Sequence, residues 1–202
     1  MAASTEEIRK LMKLRLSALL HTANAPAQRA SLAELRRGLG HAPGELPGLW
    51  GAFLEGMPET MYGRSGEPSR EEWAIYTALT LFALHQQGRE PAAEPMHREG
   101  VGFGAAVGML AEDEDSFERA LRRLNAAATA GSVSALERHL RGLVQLLRDA
   151  GVPLDYVSLA GDVYSFQFPE SVNRVRLRWA QDFYSTYYRQ QTREGGTEDE
   201  KA

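Results

Sequence analysis

Apolar residues recur every three or four positions along most of the chain, which is the spacing of one face of an α-helix. This period predicts helices over residues 5–22, 29–38, 46–56, 70–87, 102–111, 115–130, 134–149, 155–166 and 170–190. The segment from Arg174 to Trp179 alternates apolar and polar residues as a strand would. Val175, Trp179 and Phe183 nevertheless mark one helical face, so a helix is predicted there too. The predicted fold is therefore all-α, a helical bundle of about eight to nine helices.

Short motifs at the helix ends support these boundaries. A serine followed three residues later by a glutamate forms a capping box, in which each side chain accepts a hydrogen bond from the other residue's backbone amide. Four such pairs open predicted helices: Ser4 with Glu7, Ser31 with Glu34, Ser69 with Glu72, and Ser134 with Glu137. Three glycines follow helices where a left-handed C-terminal cap is expected: Gly38, Gly88 and Gly151.

The length of 202 residues allows one large domain or two small helical lobes. Trp73–His85 is apolar nearly all round, which is typical of a central helix, here the core of an N-terminal lobe. Arg89–Gly100 has two prolines, small residues and alternating charge, which favour an exposed loop between lobes. We predict an N-terminal helical lobe at 1–92, a basic helical lobe at 101–190, and a disordered acidic tail at 193–202.

The composition excludes several classes of protein. No apolar run reaches the ~18 residues of a membrane-spanning helix, and the first twenty residues lack the apolar core of a secretory signal. A cytoplasmic protein without membrane association is therefore expected. The absence of cysteine excludes disulfides, thiolate zinc sites, iron–sulfur clusters and a cysteine nucleophile. None of the five histidines has the spacing of a helical zinc motif, so neither a metal nor a cofactor is predicted.

Catalytic motifs are also missing. The acidic run Glu112–Asp115 is the strongest candidate for the metal site of a nuclease. Carboxylates are also common at a helix start, however, because they stabilise the positive end of the helix dipole. The glycines of Gly100–Gly108 miss the spacing of a dinucleotide loop and follow no predicted strand, which favours close helix packing or a turn. No serine lies in a nucleophile elbow. We predict no catalytic residue; a helical nuclease built on Glu112–Asp115 stays as an alternative.

The charge distribution is uneven. The net charge of −4 argues against a free-standing nucleic-acid binder, which usually presents a basic domain. However, the net charge is −6 over residues 1–118, +5 over 119–193 and −3 over 194–202. Of the 23 basic residues 20 are arginine, whose planar fork suits phosphate, although a GC-rich genome explains the same bias. The basic C-terminal half is the place to look for a binding surface.

Arginines in this half follow helical spacings. Arg119, Arg122 and Arg123 stand at i, i+3 and i+4 and share one stripe. Two further groups lie on the predicted helices that follow: Arg138, Arg141 and Arg148, then Arg174, Arg176, Arg178 and Arg189. Such stripes can neutralise phosphates, and phosphate neutralisation supplies most of non-specific nucleic-acid affinity. Any one of these stripes is explained equally well as the charged, solvent-facing side of a helix without a binding function.

Five aromatic residues near the C-terminal end recur at helical spacing and suit either base stacking or a core: Trp179, Phe183, Tyr184, Tyr187 and Tyr188. Trp179 and Phe183 are expected in the core, the usual place for large rings. Tyr187 and Tyr188 are candidates for exposed platforms on which bases stack.

Six blocks of sequence, taken in order, resemble the CasB family, the small subunit of the type I-E CRISPR Cascade complex. The resemblance extends from about residue 28 to residue 188. One block alone is weakly specific, whereas six in register are specific. The blocks are Leu35–Trp50, Ala78–Gly88, Arg122–Ala130, His139–Arg148, Val152–Phe166 and Val175–Tyr184.

The resemblance implies an all-helical, non-enzymatic subunit, present as two copies in a ribonucleoprotein with crRNA and other Cascade subunits. It implies that the subunit holds the displaced non-target strand of target DNA and stabilises the R-loop, while the guide RNA reads the sequence. An alternative is a purely structural scaffold whose arginines contact neighbouring proteins. We assign nucleic-acid binding first to Arg122 and Arg123, then to Arg119, Arg138, Arg141, Arg174, Arg176, Arg178, Arg29, Arg36 and Arg37, the last three with helix capping as an alternative role.

Overall fold

The structure is a computed structural model that describes residues 3–22 and 24–198, with side chains up to residue 192. The helices are α1 Thr5–Leu20, α2 Ala25–Arg37, α3 Trp50–Leu54, α4 Arg70–His85, α5 Phe103–Gly108, α6 Glu114–Ala128, α7 Val133–Asp149, α8 Tyr156–Phe166 and α9 Pro169–Glu198. Two short 3₁₀ turns, Pro47–Leu49 and Glu59–Met61, flank α3. Within these ranges the chain forms no strand, and the predicted all-α class is confirmed.

Helix α2 and the segment 46–56 depart clearly from the prediction, and for α2 the cause is local capping. α2 starts four residues early, since the Asn24 side chain accepts from the Ala27 amide at 3.1 Å and Pro26 lies in the first turn. The capping box predicted at Ser31 and Glu34 is wrong, because both residues lie inside α2. The helix predicted at 46–56 is divided into a 3₁₀ turn and the short α3.

Of the other three predicted capping boxes, two form and one does not. Those at Ser4 and Ser69 are confirmed, each with its glutamate side chain bound back to the serine amide. The box at Ser134 is wrong, since Ser132 caps α7 and its hydroxyl accepts from the Ala135 amide at 3.2 Å. Asp113 and Ser116 form a box at α6 that a serine–glutamate pattern does not detect, because a carboxylate and a hydroxyl exchange their usual places.

A left-handed glycine follows two helices. Gly151, with φ +67°, comes directly after the C-cap of α7 as predicted, whereas Gly88, with φ +82°, lies in the turn three residues after α4 ends. The same prediction for Gly38 is wrong, because its φ is −70°. A side chain is excluded at Gly38 for another reason: its Cβ would lie 2.6 Å from the hydroxyl oxygen of Tyr76, which donates to the Gly38 carbonyl.

Helix α4 lies at the centre of the molecule, as its apolar sequence predicts. It is buried along nearly its whole length and packs against α1, α2, α7 and α8. Because α8 also packs on α1, the segments 1–92 and 101–190 share one hydrophobic core across the predicted lobe boundary. Division into two lobes stays a prediction.

The C-terminal helix is long. The backbone of α9 continues to Glu198, while the side chains after Thr192 and residues 199–202 lie outside the described part of the chain. The predicted disordered tail at 193–202 therefore falls on residues that the structure does not fully describe. None of the helices within the described ranges is long and apolar enough to cross a membrane.

The crossing of α5 and α9 explains the glycine-rich run. A Cβ at Gly104 would clash with the Trp179 carbonyl, and one at Gly108 would lie 2.8 Å from the Phe183 carbonyl oxygen. Both glycines let the two backbones approach closely, so the interpretation of this run as a packing motif is confirmed.

A buried histidine makes the fold sensitive to acid. His85 is inaccessible to solvent, and its Nδ1 lies 2.9 Å from the Tyr156 hydroxyl oxygen. Burial lowers the pKa of His85 from 6.5 to about 4, because a protonated ring would lose its hydration in the core. The unfolded chain therefore binds a proton here that the folded chain does not, and the free energy of unfolding falls as the pH decreases from 6.5 to about 4.

We expect the free energy of unfolding to fall by roughly 3 kcal/mol between pH 6.5 and about 4, because each unit of difference between the folded and unfolded pKa corresponds to about 1.4 kcal/mol. Denaturant titrations across this pH range measure it. His85→Gln should lose this part of the pH dependence, whereas His139→Gln, at an exposed position, should keep it. An identical pH dependence in wild type and His85→Gln would contradict the prediction.

Candidate nucleic-acid interface

The outer face of α6 carries the first arginine stripe. Arg119, Arg122 and Arg123 are exposed on this side, while Ala120 and Leu124 are buried on the side that faces the core. Arg122 has one partner, the Glu118 carboxylate, at 3.4 Å, and both side chains are largely exposed. Such a surface pair contributes little, so a phosphate can take the place of Glu118. The α6 stripe is available to an anionic ligand.

One edge of α7 carries the second group. Arg138 is exposed, and Arg141 and Arg148 are half-buried beside the apolar face that α7 turns to the core. The Arg148 guanidinium donates to Gln87 at 3.3 Å and to Asp149 at 3.1 Å. These contacts place the basic edge of α7 against the residues that follow α4.

Arginines of α2 reach the same end of α4 from another helix. Arg36 donates to the Ala83 carbonyl at 3.4 Å, four residues before the Gln87 side chain that binds Arg148. Burial lowers the pKa of Arg36, although arginine stays charged at any physiological pH. Arg29 approaches Glu90 at 4.0 Å. We call Arg29, Arg36 and Arg148 the α4-end cluster.

The remaining α2 arginine, Arg37, is exposed in the last helical turn, directly before the C-cap Gly38. Arg36 and Arg37 therefore lie at the negative end of the helix dipole, where positively charged side chains stabilise a helix. The capping role considered for them is compatible with binding, because the guanidinium of Arg37 still faces solvent.

The α9 arginines do not form one stripe. Arg178 and Trp179 both donate to the buried Asp162 carboxylate. Burial raises the pKa of Asp162, and the Arg178 charge opposes this shift. Arg176 donates to the Ala128 carbonyl at 2.6 Å and lies over the Phe166 ring. Arg178 and Arg176 thus hold α9 to α8 and α6, and Arg174 is exposed.

The acidic run that precedes α6 serves as a helix start. The Asp113 side chain accepts from the Ser116 hydroxyl at 2.6 Å and from the Ser116 amide at 2.7 Å, and these bonds hold the pKa of Asp113 below its usual value. Glu112, Glu114 and Asp115 are exposed. Among the residues that the structure describes, no three histidines, aspartates or glutamates come together as metal ligands.

We expect no cleavage of DNA or RNA by this chain in Mg²⁺ or Mn²⁺, because metal-dependent hydrolysis needs carboxylates that converge on a cation. Electrophoresis of labelled single and double strands measures it. Cleavage that disappears in Asp115→Ala would show the nuclease alternative to be correct. A contaminating nuclease would survive that substitution, and Asp115→Ala keeps the Asp113 cap.

Comparison with known proteins identifies the family. Residues 31–184 match the family described as CRISPR-associated protein Cse2. This chain belongs to the Cse2 family. The structure is similar to the crystal structure of CasB from Thermobifida fusca, with 30% sequence identity, a TM-score of 0.67, and coverage of 89% of this chain and 96% of that chain. The resemblance of the six sequence blocks is confirmed.

Two further solved structures share the Cse2 fold. M. ruber CasB aligns with a TM-score of 0.63 and 21% identity over 90% of this chain and 97% of that chain. A chain of a CRISPR RNA-guided surveillance complex aligns with a TM-score of 0.68 and 22% identity over 93% of this chain and 99% of that chain. At these identities the two show the fold alone. No curated protein matches this sequence.

The aromatic residues of this Cse2 chain separate into core and surface. Trp179 and Phe183 are buried, as predicted. Tyr187 is half-buried, with its ring 4.4 Å from that of Phe117, whereas Tyr188 is exposed. Tyr184 is also exposed. It lies on the same face of α9 as Tyr188, because residues at i and i+4 share a helix face.

Proposed function

We propose that this chain is the non-catalytic small subunit of a type I-E Cascade complex, in which it binds target DNA non-specifically and stabilises the displaced strand and the R-loop. Its proposed partners are crRNA, the other Cascade subunits and a second copy of itself, in the cytoplasm. Family membership supports the assignment to a CRISPR system. The observation that supports DNA binding is the placement of Arg119, Arg122 and Arg123 on one solvent-facing side of α6.

The geometry of the arginines suits a phosphate backbone more than a single anion. Arg122 and Arg123 are about 100° apart around the helix, so they cannot bind one phosphate together. Arg119, one turn earlier, lies beside both. The stripe can follow a strand, and the α7 edge and the α4-end cluster offer further contacts on the same subunit.

A local basic surface is sufficient in such a complex. The chain is acidic overall, but the assembly supplies effective concentration and the remaining contacts. The heteroduplex in an R-loop is about as stable as the duplex it replaces, so a few protein–backbone contacts shift the equilibrium. Sequence-independent arginine contacts are suited to this role because they stabilise any displaced strand.

The isolated subunit should bind DNA weakly, with a Kd of roughly 10⁻⁴ to 10⁻⁶ M at physiological salt and no sequence preference. The logarithm of the affinity should fall linearly with the logarithm of salt concentration, because each phosphate contact releases condensed counterions. Fluorescence anisotropy with unrelated strands, titrated across salt, tests both statements. Binding that is insensitive to salt, or tight for one sequence, would contradict the proposed function, and no binding at all would favour the scaffold alternative.

A further inference from the structure

Helix α9 has a second apolar face that the core does not use. Its inner face packs through Val175, Trp179 and Phe183, which are buried. On the outside, Leu177, Tyr184 and Tyr188 are 59%, 37% and 60% exposed. At about 100° for each residue, these three lie within roughly 40° of one another around the helix. Exposed Gln181 separates Leu177 from the two tyrosines, whereas Tyr184 and Tyr188 are neighbours, and adjacent exposed apolar side chains mark an interaction surface more often than scattered single residues do.

The tyrosines are held in place before any partner binds. The rings of Tyr184 and Tyr188 stack with centroids 6.3 Å apart. Tyr184 also packs edge-on against Phe117 of α6 at 5.7 Å, and the ring of Phe117 lies 4.4 Å from that of Tyr187. Rigid, amphipathic tyrosine rings offer a large contact area at low conformational entropy cost, which is why they are enriched among interface hot spots.

The rim of this surface is acidic. Glu112 and Glu114 are exposed, and Glu114 lies about 60° from Phe117 around α6, whereas Asp115 lies on the Arg119 side of the helix. Gln191, one turn beyond Tyr188, donates from its side chain to the Glu112 carbonyl at 3.2 Å, which ties the start of α6 to this end of α9. Arg189 follows Tyr188 but lies about 100° round the helix, with its guanidinium bonded to Ser185. The aromatic end of α9 is thus bordered by carboxylates.

We propose that Tyr184 and Tyr188, with the acidic rim, form a docking surface for a segment of another protein subunit that carries arginine or lysine together with apolar side chains. Cations bind over tyrosine faces, and the rim carboxylates attract the same charges. Nucleic acid is disfavoured on this surface, because phosphates there would face Glu112 and Glu114. The inference rests on the proposed function, since the partner is a neighbouring subunit of the complex.

The test is incorporation into the reconstituted Cascade complex, measured by titrating tagged subunit into complex that lacks it. Tyr184→Ala with Tyr188→Ala should reduce the apparent affinity for the complex at least about tenfold, the scale of a truncated hot spot. DNA affinity of the free double variant should stay within about twofold of wild type. Tyr188→Phe, which keeps the ring, and Tyr62→Ala, an exposed tyrosine outside α9, are the matched controls and should incorporate normally.

The rim is tested separately by charge. Glu112→Gln and Glu114→Gln together should weaken incorporation at low salt and make it less dependent on salt, while Asp113 still caps α6. Circular dichroism of each variant verifies the fold. Normal incorporation of the tyrosine double variant overturns the inference, as does loss of DNA binding by that variant in free form. A tyrosine-dependent dimer of the isolated chain would also overturn it, by assigning the face to a second copy.

The failure of the two proposals can be told apart. If wild-type subunit does not join the complex, the proposed function is wrong. If wild type joins and binds DNA but the tyrosine variants behave as wild type in both assays, only the docking surface is wrong.

Discussion

Replacing Arg122 and Arg123 with glutamate should leave assembly intact and weaken target-DNA binding by the complex roughly 100-fold. Each lost charge-assisted hydrogen bond to phosphate contributes about 1.5 kcal/mol or more, and 1.4 kcal/mol corresponds to a factor of ten. The fold should survive because both side chains are exposed and the buried Leu124 is unchanged. The salt dependence should become shallower, since fewer counterions are released.

The matched control is Arg64→Glu with Arg98→Glu, which changes the net charge by the same amount at exposed positions outside α6 and α7. This control should keep most of the affinity if local contacts, and not total charge, determine binding. Equilibrium binding and R-loop lifetime with the assembled complex are the measurements. If the Arg122/Arg123 variant fails to assemble yet binds DNA normally as a free subunit, these arginines are protein contacts and the scaffold alternative is correct.

Gly104→Ala should destabilise the fold by roughly 3 kcal/mol, the upper part of the usual range for overpacking. The added Cβ would lie 2.8 Å from the Cα of Trp179, and no side-chain rotation can relieve a clash with backbone. α5 and α9 would have to separate, which exposes Phe103 and Trp179, whose rings pack 4.8 Å apart. Thermal denaturation should show a Tm lower by about 10 °C in a chain of this size.

Gly142→Ala provides the control for this substitution. Gly142 lies in the interior of α7, and nothing lies within 4 Å of the position its Cβ would take. Alanine is favoured over glycine in a helix by about 1 kcal/mol, so this variant should be as stable as wild type or more stable. Equal Tm values for the two variants would show that the close approach of α5 and α9 is not required.

Local patterns in the sequence were sufficient to predict the helices and the central position of α4. Helical periodicity depends on one residue and its near neighbours, so the all-α class and most helix bounds can be read directly. The capping box at Ser69 succeeded for the same reason. Ser31 failed because another capping residue, Asn24, lies about two turns earlier in the chain and starts the helix, and the capping pattern does not rank competing starts.

For the arginines, the sequence by itself determined residue type and helical face, which is why the shared outer face of Arg119, Arg122 and Arg123 was predictable. Only the tertiary structure decided that Arg178 binds the buried Asp162 of α8, and that Arg36 of α2 and Arg148 of α7 meet the same end of α4. Such contacts join residues that are 16 to 61 positions apart in the chain, and their partners depend on how whole helices pack. Spacing along one helix carries no information about that packing.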